Sequence, residues 1–156
     1  MNASLIQALR ASFEPLGFRT VTITQAGAAE SITVLKRQTW NTNRAIAVIQ
    51  LESLTSDFGS FLKKNRWKVA MNTGFFPFFY SLGLQMILVC KNPVSAPVNL
   101  AHYTNKVDNQ LAIIQSIFLI DESQKTFSKG VTWGQFVTGK YQTEIQRILS
   151  QFYKEK

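Results

Sequence analysis

Apolar and polar positions alternate along residues 19–24, with Val21 and Ile23 on one side and Thr20, Thr22 and Thr24 on the other. This is the two-residue period of a strand with one face in water. Glu30 to Arg37 alternates in the same way, and after the polar turn Asn41-Thr42-Asn43 the stretch from Ala45 to Leu51 is almost continuously apolar. Such a run is expected of a strand covered on both faces, so the three strands read as an antiparallel meander whose last member is central.

From Leu54 to about Ala70 the period becomes helical, with Leu54, Phe58, Phe61, Leu62 and Val69 in one stripe. Leu84 to Cys90 is again continuously apolar, and strand, helix, strand with so long a crossover predicts a parallel pair. Leu111 to Ile120 is rich in β-branched residues and stops at Asp121-Glu122-Ser123-Gln124, which predicts a further strand with Thr126 to Ser128 as a short returning partner. Helices flank this core. Asn2 precedes a helical pattern at Ile6, Leu9 and Phe13, and from about Gln135 the residues Tyr141, Ile145, Ile148, Leu149 and Phe152 share one face. The expected fold class is α+β, a mixed sheet of about five strands with flanking helices in the order α-β-β-β-α-β-β-α.

With 46% apolar and 12% aromatic residues, a chain of 156 residues supports one continuous core, so residues 1–156 are expected to form a single domain. The stretch from Met71 to Cys90 carries no charge and is long enough to cross a bilayer, but Asn72, Gly74, Pro77, Ser81, Gly83 and Gln85 interrupt it. A loop followed by a buried strand accounts for it better, and no membrane span is expected. The single cysteine, Cys90, excludes an intramolecular disulfide. The opening residues lack the charged and apolar regions of a secretory signal, so a soluble, cytoplasmic protein is expected. The net charge of +8, from 17 Lys and Arg against 9 Asp and Glu, favours a polyanion or an acidic protein surface as partner.

Candidate chemistry is sparse. His102, the only histidine, is followed by Tyr103-Thr104-Asn105 and has no Cys, Asp or Glu at ligand spacing. Gly130, Gly134, Gly139 and Lys140 make a glycine-flanked, basic entry to the last helix but match no phosphate-binding motif. Neither a cofactor nor a metal is expected on these grounds. Glu30 at the start of the second strand, Glu52 at the end of the third and Asp57 at the start of the second helix are the acids placed to approach one another.

The order helix, three strands, helix, strand resembles the core of the restriction-endonuclease-like nucleases, and equally that of small secretion-chaperone-like α+β folds. The nuclease resemblance implies a metal-dependent site at those acids. The Glu-x-Lys such enzymes carry on the third strand has no counterpart in Ile49-Gln50-Leu51-Glu52-Ser53.

The strongest local signal is Lys63-Lys64-Asn65-Arg66-Trp67-Lys68. At 100° per residue the buried stripe of Phe58, Leu62 and Val69 leaves Trp67 pointing away from the sheet, beside Lys63 and Arg66. A second unusual group is Phe75-Phe76-Pro77-Phe78-Phe79, whose paired aromatics cannot all face inward from one extended segment. Lys63, Arg66, Trp67, Phe75, Phe76, Phe78 and Phe79 are therefore the expected partner-binding residues. The expected function is a non-enzymatic binding or protein-interaction module that forms a homo-oligomer, with a nucleic-acid-binding protein or degenerate metal-dependent nuclease as the alternative.

Overall fold

Burial on both faces of the central strands requires helices on both sides of the sheet, and the computed structural model has that arrangement. It describes residues 2–24, 32–39, 43–73, 82–94, 97–104, 112–131 and 135–156. The elements are α1 (Asn2–Phe13), β1 (Arg19–Ile23), β2 (Ile32–Gln38), β3 (Asn43–Leu51), α2 (Phe58–Asn72), β4 (Leu82–Cys90), β5 (Ala112–Asp121), β6 (Thr126–Val131), α3 (Gln135–Leu149) and β7 (Lys154–Glu155). Short 3-10 turns occupy Glu14–Leu16 and Leu100–Tyr103.

The strands form one seven-stranded sheet in sequence order. β1, β2 and β3 are antiparallel neighbours, β3–β4 and β4–β5 are parallel, β5–β6 is antiparallel and β6–β7 is parallel. The coarse α+β class and the parallel pair across α2 agree with the sequence pattern. The strand count and order do not: seven strands replace about five, and the order is α-β-β-β-α-β-β-β-α-β. Thr126 begins a full six-residue strand, and β7 adds a two-residue pair at the sheet edge. Two residues are too few to show a hydrophobic period, and β6 carries Gly130 and Lys129 where alternation would be read.

Alternate residues of the central strands face two separate apolar layers. Ala45, Ala47 and Ile49 of β3 and Leu84, Met86 and Leu88 of β4 pack with Phe58, Leu62 and Val69 of α2 and Leu100 of the second 3-10 turn. Ile46, Val48, Ile87 and Val89 face the other way, against Leu5, Leu9 and Phe13 of α1 and Tyr141, Ile145 and Leu149 of α3. Every residue of β4 is buried, including Gln85. The parallel ladder between β4 and β5 slips between Leu84 and Gln85, leaving Gln115 as an extra residue. Such a bulge re-aims the side chains beside it. Among the described residues no helix is long and apolar enough to cross a membrane.

α2 begins later than its apolar pattern suggests. Asp57 caps it by accepting a hydrogen bond from Ser60 N at 3.0 Å, and Leu54 packs on the core from the loop before the cap. Cys90 is fully buried, and burial, with the charge of Asp121, pushes its thiol up to about 11. The expected result is slow reaction with a thiol reagent at neutral pH in the folded protein and rapid reaction once it is unfolded in denaturant, because only the thiolate is nucleophilic. Equal rates in the two states would contradict this packing.

Candidate functional site

The outer side of α2 follows from which of its positions the sheet covers. Phe58, Phe61, Leu62, Asn65, Arg66, Val69 and Ala70 are buried, spaced three and four apart as a core-facing stripe requires. The opposite positions carry Lys63, Lys64, Trp67 and Met71, all exposed. Trp67 keeps 46% of its surface in water and Met71 62%. Lys63, Trp67 and Met71 are four residues apart and so stand in line along the helix. They form a ridge with an aromatic ring at its centre and an ammonium group at one end.

Arg66 does not belong to this ridge. It is only 5% exposed, which corrects its grouping with Lys63 and Trp67. The covered stripe spans about half the helix circumference rather than the narrow band drawn through Phe58, Leu62 and Val69. Asn65 shares its fate: it is fully buried and its Nδ2 donates to Phe61 O at 3.0 Å. Phe75, Phe76, Phe78 and Phe79 lie outside the described residues.

Of the three acids singled out in the sequence, the two in the described residues each have a partner of their own. Glu52 is exposed and paired with Lys91 at 2.5 Å, and Asp57 is occupied as the α2 cap. Glu30 lies outside the described residues. Among the described residues no group of three His, Cys, Asp or Glu side chains is placed to hold a metal ion.

His102 belongs to a cleft. The loop after β3, the start of α2 and the segment after β4 enclose about 520 Å³ bordered by Ser53, Thr55, Phe58, Asn99, His102 and Tyr103. Phe58 and Tyr103 meet edge to face at 5.0 Å, and His102 stands against Tyr103 at 5.2 Å. The cleft lies beyond the carboxyl ends of β3 and β4, where open sheets with parallel strands commonly receive ligands. Its described walls carry hydroxyl, amide, imidazole and aromatic groups. Comparison with protein-family models, with curated proteins and with solved structures finds no match.

Proposed function

We propose that this protein is a non-enzymatic binding module that docks the outer ridge of α2 on an acidic macromolecular surface. The observation that carries this reading is the exposure of Trp67 in line with Met71 and Lys63. A half-exposed indole has left part of its apolar surface in water, and such rings gain most when a flat or apolar partner covers them. Lys63 and Lys64 beside it, on a chain of net charge +8, set the sign of that partner.

Self-association is the second part of the expected function. A monomeric mass by light scattering at high protein concentration would remove this part and leave the docking reading intact. The nuclease alternative draws less support, since Glu52 and Asp57 are occupied by Lys91 and the α2 cap.

Trp67→Ala tests the docking reading. With mixed-sequence single-stranded oligonucleotide and polyglutamate as acidic probes, the variant is expected to lose about 1–3 kcal/mol of binding, the scale of one stacked aromatic. Binding to both probes should weaken as salt rises. Stability should fall by no more than about 2 kcal/mol, because roughly half the ring is already in water and full burial is worth about twice that. Unchanged affinity for both probes, or a melting loss as large as that of a core aromatic, would overturn the assignment.

A further inference from the structure

The outer side of α2 is more apolar than docking on a polyanion requires. Among the described residues three large apolar side chains are exposed, Leu16, Trp67 and Met71, and two of them belong to this one ridge. Met71 keeps 62% of its surface in water, more than Trp67. Its thioether offers no hydrogen-bond donor and no charge, so a phosphodiester backbone or a row of carboxylates gives it little that water does not. A partner that suits Trp67 and Met71 together has apolar material beneath an acidic surface.

Helix geometry arranges the ridge for that kind of partner. At about 100° per residue Trp67 and Met71 lie about 40° apart, and Lys63 and Lys64 fall on opposite flanks of the pair. All four are exposed. From Lys63 to Met71 the ridge runs about 12 Å along the helix axis, at a rise of 1.5 Å per residue. An apolar centre flanked by lysines is the cross-section of helices that lie in a membrane interface. There the lysine stems run beside the apolar groups while the ammonium groups reach the headgroups, and an indole sits at headgroup level. The buried stripe of Phe58, Leu62 and Val69 on the opposite side already fixes α2 to the sheet. The ridge is therefore formed before it meets a partner, and no helix has to be ordered on binding.

We infer that the outer face of α2 lies on an anionic lipid bilayer, with Trp67 and Met71 at the boundary of headgroups and acyl chains and Lys63 and Lys64 against acidic headgroups. This inference rests on the docking role of the ridge and narrows its acidic partner to a lipid surface. The net charge of +8 draws the chain toward such a surface, and the ridge sets which side arrives. The contact is peripheral, with α2 along the surface and its buried stripe still on the sheet.

Co-sedimentation of the full chain with vesicles of phosphatidylcholine mixed with phosphatidylserine, and with vesicles of phosphatidylcholine alone, is the test. The wild type is expected to bind the mixed vesicles more tightly than the neutral ones and to be released by salt. Trp67→Ala and Met71→Gln should each weaken that binding at least about fivefold, the scale of one partly exposed apolar side chain taken out of water. The double variant Lys63→Gln, Lys64→Gln should weaken it about 25-fold, since each lysine near an acidic membrane is worth about fivefold. All these positions are exposed, and unchanged circular dichroism and melting would show that the losses are losses of binding. As a second measurement, brominated lipid in the mixed vesicles should quench the tryptophan emission of the wild type and quench Trp67→Phe less. Trp67-dependent binding to oligonucleotide or polyglutamate with none to the mixed vesicles would overturn the lipid surface and leave the docking reading in place, whereas binding to no probe would overturn both. Equal vesicle affinity in the wild type and Met71→Gln would also overturn it, because charge alone would then account for the attraction.

Discussion

Replacing Gly130 by alanine is expected to lower stability by about 3 kcal/mol, near the upper end for an overpacked interior position. Gly130 lies inside β6, paired with Ile117 of β5, and is buried. Its φ is not positive, so the requirement is for space and not for a left-handed backbone. A Cβ at this position would be in severe overlap with the carbonyl carbon and Cβ of Leu100 and would lie 2.5 Å from Ala101 N. A flexible side-chain tip moves aside at small cost, but here the obstacle is backbone, so β6 and the 3-10 turn must separate. That turn inserts Leu100 into the core and holds His102 and Tyr103 on the cleft. The loss in stability should therefore come with a change in the environment of Tyr103. Chemical denaturation monitored by tyrosine and tryptophan fluorescence reads both, and a midpoint equal to that of the wild type would refute the close approach of β6 to the turn.

What the sequence made legible is the part of the fold governed by period and by continuous apolarity. The helical spacing of Ile145, Ile148 and Leu149 and the unbroken runs of β3 and β4 each reflect a single physical demand, that one face or both be out of water. The solvent side of α2 was readable on the same grounds, and Trp67 is exposed there. Arg66 and Asn65 were not readable, because a stripe drawn through apolar residues is narrower than the surface a sheet covers. Each keeps partners at the interface that a sequence pattern does not display.

Register is a second kind of information that composition does not carry. Arg37 and Arg44 are seven residues apart in the chain, on either side of a polar turn, and the register of β2 and β3 sets them directly opposite each other. Whether they oppose each other depends on the turn geometry, and a shift of one residue would send one of them to the other face. The same holds for Gly130, whose need for a glycine arises from a turn about thirty residues earlier. Its signal in the sequence, a glycine inside a strand, marks close backbone approach in general but not the partner. Glu52 and Asp57 show the converse: the sequence placed one at the end of β3 and the other at the start of α2, while their occupation by Lys91 and the helix cap is a matter of side-chain geometry.

Asp121→Ala is expected to cost about 3–4 kcal/mol, the less-than-additive loss of several hydrogen bonds to one charged group. Asp121 ends β5 and is 3% exposed. Its carboxylate accepts from Val94 N at 3.0 Å, Ser123 Oγ at 2.6 Å and Gln124 N at 3.0 Å. Burial alone pushes the carboxyl up, but the bonds from Ser123, Val94 and Gln124 and the charge of Lys156 outweigh it, so the folded value lies below the ordinary one. A depressed carboxyl stabilises the fold fully above its unfolded value of about 3.9, and that contribution disappears as pH falls through the lower folded value. The wild type should therefore lose stability as the pH falls below about 5 and on through the lower folded value, and Asp121→Asn should lose less of it over that interval. Glu122 and Glu144 are depressed as well and remain in the variant, so the difference between the two profiles isolates Asp121. Parallel profiles would show that Asp121 carries no linked proton. The position also bears on the cleft, because Val94 is held by Asp121 between two of its wall residues, Pro93 and Pro97. Releasing that tie should widen the cleft mouth, measurable as faster amide exchange at Val94 and Val98 in Asp121→Asn while the exchange of β4 is retained.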